Sequence, residues 1–394
     1  MRLHLVFFLI LSLSLSLNLQ ANEPPELSDD AEIFILTYEP GEEIYSLFGH
    51  SAIRIKDEKQ HIDLVYNYGT FDFNTSHFYL KFIRGNLNYQ LARASYKRVT
   101  YNMLQENRTV YEQQLFLTQH EKQELFKALE VNYLPGNRYY LYDFFFDNCA
   151  TRIHDIIYEA LDSTITFNSG KYRKLSFRDI LNQYTGSKYW LKNGINILLG
   201  KNADKIAKPI EYMFIPDYVM EIYSHMKIKR DNDFEFLTSA PRIIFQSTKS
   251  NTAKRLNWQL ILYIFSGVIF LASILAVLRN RKPRKWIRFL DIVFIFSSGF
   301  VGLTLIALWA GSMHEGFESN WNILWLNPLN LVILFTLFKE KWKSWIQYLT
   351  TFNVLLLLAV LFAGNAITGQ ELAVISKPAA LLLTGRFLHY LRIK

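Results

Sequence analysis

Phe146-Asp147-Asn148-Cys149-Ala150-Thr151-Arg152 sets a thiol at the start of a helix. Asp147 or Asn148 reads as the N-cap, and Ile153, Ile156, Ile157, Ala160 and Leu161 recur at the spacing of one apolar helix face. A thiol in the first helical turn meets unpaired backbone N–H groups and the positive end of the helix dipole, which both favour thiolate. Cys149 is the chain's 1 cysteine, so no intramolecular disulfide can hold it. Two readings stay open on position alone: a reactive nucleophile, or a small buried hydrophobe.

The N-terminus bears on which applies. Arg2, an apolar run broken only by serines over 5–17, and a small residue at Ala21 read as a secretory signal over 1–21. Outside the cytosol an unpaired thiol invites oxidation unless it has a use. Residues 22–246 are mixed and polar and are expected to form one exported domain, 247–257 a linker carrying Lys249, Lys254 and Arg255, and 258–394 a membrane domain.

Residues 258–278 carry no charge and, at about 1.5 Å per residue, can cross a hydrocarbon layer of about 30 Å. Residues 292–313 and 350–370 are equally apolar, 321–338 is broken by Asn327-Pro328, and 372–390 carries Lys377 and Arg386, expected to snorkel. Five spans are therefore expected. Arg279-Asn-Arg-Lys-Pro-Arg-Lys285, Lys339-Glu-Lys-Trp-Lys343 and Arg392-Ile-Lys394 are basic, which puts the C-terminus in the cytoplasm and the N-terminal domain on the outer side of the membrane. These anchors account for much of the net charge of +8, so it calls for no nucleic-acid partner.

Within the exported domain, 31–38, 51–56 and 62–73 read as strands, the last two joined by the polar turn 56–60; 118–133, 149–161 and 177–184 read as helices. The result is an α+β domain with a small antiparallel sheet. By period two, His50, Ala52 and Arg54 share one face, as do His61, Asp63 and Asn67 on the next strand, so His50 and Asp63 can lie together.

A thiol enzyme needs a base and a group to orient it. His50 is the candidate base, with Asp63 or His61 to hold its other ring nitrogen and Asn67 and Asn148 as further supporting candidates. No pair of histidines keeps metal-binding helical spacing beside a carboxylate, and no glycine-rich phosphate loop is present, so neither metal nor cofactor is expected. Tyr139-Tyr-Leu-Tyr-Asp-Phe-Phe-Phe146 reads as a buried strand or as a greasy cleft beside the thiol.

Phe48-Gly-His-Ser-Ala-Ile-Arg-Ile55, Asp63-Leu-Val-Tyr-Asn-Tyr-Gly-Thr-Phe-Asp-Phe73 and Asp147-Asn-Cys-Ala-Thr151 together resemble the exported domain of the Lnb-type lipoprotein N-acyltransferases. Leu198-Leu-Gly-Lys-Asn-Ala-Asp-Lys205, Met213-Phe-Ile-Pro-Asp217 and Leu324-Trp-Leu-Asn-Pro-Leu-Asn330 extend the similarity over nearly the whole chain. The resemblance implies a permuted papain-like (NlpC-like) fold in which the histidine strand precedes the cysteine helix. It carries the nucleophile onto Cys149 and the base onto His50, and places Asp63 ahead of His61 as the third group.

The implied reaction moves an ester-linked fatty acyl chain, from the sn-2 position of a lipoprotein's diacylglyceryl group, to the lipoprotein's N-terminal amine. Lipoprotein and lipid are then the substrates and the membrane the setting. His314 and Asn320, in the outward loop 313–326, are candidates for a headgroup or glyceryl site. Two other readings stand beside this one: a membrane-tethered cysteine amidase or peptidase acting on cell-wall peptide, and a non-enzymatic lipid- or peptide-binding membrane protein. No feature of the sequence bears on oligomeric state.

Overall fold

The computed structural model of the chain describes residues 24–161, 164–168, 170, 172–185, 188–249, 256–281, 284–336 and 343–392. The expected signal at 1–21, most of the linker and residues 339–342 of the basic segment 339–343 lie outside the described residues.

The three expected strands are β1 (Glu32–Tyr38), β2 (His50–Asp57) and β3 (Ile62–Thr70). They are followed by α1 (Phe78–Arg84), β4 (Asn88–Ser95), α2 (Tyr96–Glu106), β5 (Val110–Leu115), α3 (Gln119–Tyr133), β6 (Tyr139–Leu141) and α4 (Cys149–Ala160). Next come β7 (Ile165–Thr166), α5 (Phe177–Thr185), α6 (Tyr189–Leu198), α7 (Pro216–Tyr223), β8 (Lys227–Arg230), β9 (Asp233–Phe236) and β10 (Arg242–Phe245).

The sheet is larger than its sequence suggests: 7 antiparallel strands in the order β10-β5-β1-β2-β3-β4-β6, with β7, β8 and β9 forming a separate ribbon. β1 and β2 are central, which is why their side chains are buried on both faces. On one face Ile33, Ile35, Ile53, Ile55, Tyr66 and Tyr68 meet the apolar sides of α3 and α4 in the main core. On the other, Leu36, Tyr38, Ala52 and Val65 pack under Val99 and Met103 of α2.

The β2–β3 turn is closed by Asp57, whose carboxylate accepts the N–H of Lys59 at 3.1 Å and of Gln60 at 3.2 Å. His61 completes it at φ 57°. α3 starts in a capping box, Thr118 accepting from the Glu121 N–H at 3.2 Å while Glu121 accepts from the Thr118 N–H at 2.8 Å.

The C-terminal region is helical: α8 (Trp258–Leu278), α9 (Lys285–Gly311), α10 (Leu329–Thr336), α11 (Lys343–Thr368) and α12 (Ser376–Arg392). Trp258–Leu278, Lys285–Gly311 and Gln347–Thr368 are long and apolar enough to cross a membrane. The other two expected spans differ. The first half of 321–338 forms a 3-10 turn at Trp321–Leu324, and α10 begins only after Asn327-Pro328 and is described for 8 residues. The last helix has 17 residues, about 26 Å at 1.5 Å per residue.

Arg386 does not snorkel as its place near the chain end suggests. It is buried, and its Nε and Nη2 donate to Asp291 at 2.6 and 2.7 Å while Nη1 donates to Ser273 at 3.0 Å. The Tyr390 hydroxyl donates to the same carboxylate at 2.8 Å, so one charge pair joins α8, α9 and α12. A guanidinium inside an apolar bundle is held by a bidentate partner more cheaply than by bending to the surface.

Candidate active site

Cys149 opens α4, and Asn148 is the cap. The Asn148 Oδ1 accepts from the backbone N–H of Ala150 at 2.7 Å and Thr151 at 3.0 Å, and the Thr151 hydroxyl accepts from the Asn148 N–H at 2.8 Å. The Asn148 Nδ2 donates to the carbonyls of Phe144 and Phe214, each at 2.8 Å, so this buried amide also ties the helix start to the segment before α7. Asp143 braces the preceding loop by accepting the N–H of Phe145 at 2.9 Å and of Phe146 at 3.0 Å. The thiol is positioned by backbone and cap rather than by its own packing.

β2 and β3 part company beneath it. Their pairing ends at Ile53 opposite Tyr66, and β3 bulges against β4 between Asn67 and Thr70. Gly69, at φ 81°, occupies the bulge, and a Cβ there would lie 3.3 Å from the Cys149 Cβ. The start of α4 settles into this gap, where the N–H of Ser51, a residue paired with β1 but not with β3, hydrogen-bonds the Cys149 sulfur.

His50 opens β2 opposite Tyr38 of β1, beyond the last residue of β2 that pairs with β3, and its ring hydrogen-bonds the Cys149 thiol. Its Nε2 hydrogen-bonds Asn67 Oδ1 at 3.3 Å, and Tyr38 flanks it with ring centroids 5.7 Å apart. Burial opposes the thiolate, but the His50 charge and hydrogen bond, the Ser51 N–H and the Cys149 N–H outweigh it and draw the thiol below its ordinary range. Burial likewise opposes the imidazolium, and so does Arg108, but Cys149, with a lesser contribution from Asn67, outweighs them and raises His50 above its ordinary value. Both shifts favour one state, a thiolate–imidazolium pair.

Asp63 is not at His50. It sits opposite Lys56, 6 residues from His50, or about 20 Å along the strand. There it takes a bidentate pair from Arg54, Nε to Oδ1 at 2.8 Å and Nη2 to Oδ2 at 3.0 Å, while Arg54 Nη1 donates to Glu112 at 2.9 Å. Alternation places Asp63 and Asn67 on one face but does not say which is level with His50; the strand register does, and it selects Asn67. His61, at the far turn, is likewise remote from His50.

His314 and Asn320 serve the junction between the two regions. His314 Nε2 donates to the Phe82 carbonyl at 3.1 Å. Asn320 is buried, and its Nδ2 donates to the carbonyls of Ile197 and Leu198, each at 2.8 Å. Asn322 Nδ2 reaches the Asn196 carbonyl at 3.1 Å, and Gln370 Nε2 the Leu199 carbonyl at 3.0 Å. The Gly200 N–H donates to Gly316 at 2.8 Å, and Gly200 runs so close to the Glu318 carbonyl that any side chain there would collide. Arg178, fully buried, holds this stretch from behind through the Leu199 and Gly200 carbonyls at 3.2 and 2.9 Å and through Asp204.

Tyr139-Tyr-Leu-Tyr divides between the two readings. Tyr140 alone is buried in β6, an edge strand, and the residues after it turn toward the thiol, with Tyr142 stacked on Tyr89 at 4.4 Å. Two contributors have little sequence signal: Ser51 acts through its backbone, and Gly69 is visible only as a glycine interrupting an apolar strand, the mark of a bulge or close approach.

A sheet-bearing domain with a polarised cysteine–histidine pair, joined to helices that can cross a membrane, defines a membrane-associated protein with a thiol site. Two family models match it: the Lnb N-terminal periplasmic domain over residues 27–185 and the Lnb transmembrane domain over residues 255–394. The chain belongs to the Lnb family, with a periplasmic N-terminal domain and a transmembrane domain. No curated protein and no solved structure matches it.

Proposed function

We propose that the chain is a membrane-bound acyltransferase that moves an ester-linked fatty acyl chain, from the sn-2 position of a diacylglyceryl group, to the N-terminal amine of a bacterial lipoprotein. The observation that carries this reading is the Cys149 thiol held against His50 and the Ser51 N–H, in a domain bound through 196–204 to the loops of its membrane region. In this reading the N-terminal domain is a permuted papain-like unit, α10 and α12 lie in the bilayer with the three longer helices, and the C-terminus is cytoplasmic.

The Cys149 thiolate attacks the ester carbonyl, forming the carbon–sulfur bond and pushing the carbonyl electrons onto oxygen. The Ser51 and Cys149 N–H groups, which both reach the sulfur, are the donors assigned to that oxyanion. As the carbonyl re-forms, the carbon–oxygen bond breaks and the His50 imidazolium protonates the leaving glyceryl oxygen. A thioester remains. The lipoprotein's α-amine, with a pKa of roughly 7.7 to 8, is partly neutral near pH 7 and attacks the thioester; His50 takes its proton and the thiolate departs. With Nε2 on Asn67, Nδ1 is the nitrogen that serves the sulfur.

Mass spectrometry of host lipoprotein N-terminal peptides tests this. Cys149→Ala and His50→Ala, produced at wild-type levels, are expected to abolish N-linked acylation. Unchanged N-acylation in either variant overturns the assignment and moves the search to cell-wall peptide.

A further inference from the structure

The surface of α1 is inverted. None of its residues is buried, and Tyr79, Leu80, Phe82 and Ile83 are 76%, 52%, 48% and 46% exposed. Lys81 is better covered than these apolar neighbours. A short helix resting on a watery surface turns its apolar side inward; a contiguous outward apolar face marks contact with something apolar.

The attachment of α1 indicates what that is. The Ser312 hydroxyl donates to the Ile83 carbonyl at 2.9 Å, the Met313 N–H to the Arg84 carbonyl at 2.8 Å and His314 Nε2 to the Phe82 carbonyl at 3.1 Å. Gly85, at φ 72°, brings the chain close enough that a Cβ would lie 3.3 Å from His314. Residues 312–314 directly follow α9, one of the helices long enough to cross the bilayer. Four contacts therefore hold α1 at the level where that helix leaves the hydrocarbon, with Lys81 and Arg84 at hand for phosphate oxygens. This is the geometry of a helix lying in the interface.

A row of rings leads from it to the thiol. Phe82 stacks on Phe78 with ring centroids 6.2 Å apart, Phe78 meets Phe71 at a tilt at 5.6 Å, Phe71 meets Tyr89 edge to face at 5.3 Å, and Tyr89 stacks on Tyr142 at 4.4 Å. Tyr142 and Cys149 then face the same point above Gly69, at 3.8 and 3.3 Å from where its Cβ would be. We propose that α1 is an interfacial helix whose Tyr79, Leu80, Phe82 and Ile83 enter the outer phospholipid leaflet, and that the ring row behind it guides an acyl chain from that leaflet to Cys149. The second half rests on the acyltransferase reading; the first does not.

The test uses the full chain in nanodiscs of phosphatidylethanolamine and phosphatidylglycerol. In a Cys149→Ser background, nitroxide labels placed through Leu80→Cys and Ile83→Cys are expected to collide several-fold more with oxygen than with a water-soluble nickel chelate. A label through Tyr158→Cys, on the solvent side of α4, gives the aqueous reference. Aqueous values at both α1 sites overturn the interfacial helix. In the otherwise wild-type chain, Leu80→Asp with Ile83→Asp is expected to cut N-acylation at least tenfold while iodoacetamide alkylates Cys149 at the unchanged rate. Full N-acylation by that variant overturns the guiding role. Lipid-like collisions in a chain whose wild type performs no N-acylation support the interfacial helix and overturn the reaction.

Discussion

Cys149, His50 and Asn67 lie where two strands and a helix start converge, and charge decides their state. Because Cys149 is drawn below the ordinary thiol range and His50 is raised, each charge favours the other. Acid protonates the sulfur, and base removes the imidazolium proton that the proposed reaction gives to the leaving oxygen. Alkylation by iodoacetamide, followed against pH, is therefore expected to show a midpoint lower than that of a free thiol. His50→Ala should move that midpoint upward; an unmoved midpoint would show that the helix start alone sets the thiol. Asn67 and Asp63 separate by the same logic. Asn67→Ala is expected to slow acyl transfer tenfold or more with little change in thermal stability, since it frees the His50 ring to turn. Asp63→Asn should leave the rate within a few-fold and cost about 1 to 2 kcal/mol, read by denaturant unfolding, because the Arg54–Asp63 pair is only partly buried.

At the scale of elements, the bulge in β3 and the cap of α4 are one device. Gly69→Ala would need a left-handed backbone that costs an L-residue roughly 1 to 2 kcal/mol, and its methyl would press on the start of α4. Activity is expected to fall further than stability, and a fully active Gly69→Ala enzyme would show that the gap is not needed. In the membrane region, Arg386→Leu leaves the buried Asp291 uncompensated and should cost about 3 to 5 kcal/mol. Adding Asp291→Leu should recover most of it in detergent thermal unfolding. Residues 31–38, 118–133 and 149–161 were legible as elements because their apolar periods and caps are local. β4 and β5 were not: Asn88–Ser95 and Val110–Leu115 mix glutamine, arginine and glutamate into the alternation, and only pairing with β3 and β1 makes strands of them.

For the whole molecule, the junction at 196–204 is the joint between the cysteine-bearing domain and the membrane region. Its contacts are mostly side-chain amides on backbone carbonyls, which impose position and orientation with few charges. Gly200→Ala would drive a methyl into the Glu318 carbonyl and is expected to speed amide hydrogen exchange at 200 and 201, whose N–H groups bond Gly316 and Ser319. Protection equal to the wild type would mean that the loop yields without loosening. Acyl transfer should fall with it if the thiol must stand at a set height above the bilayer.

Local chemistry alone determined a good deal of this protein: a thiol at a helix start, a histidine at a strand end, and an apolar C-terminal third. Each depends on residue type and short-range period, and each could be read from the chain. What tertiary structure decided is which residues meet. Alternation defines a face but not a level along it, so Asp63 and Asn67 were indistinguishable until strand register set one beside Arg54 and the other beside His50. The roles of Asn320, Gly200 and the outward face of α1 are contacts between segments more than 100 residues apart, and no local pattern encodes those.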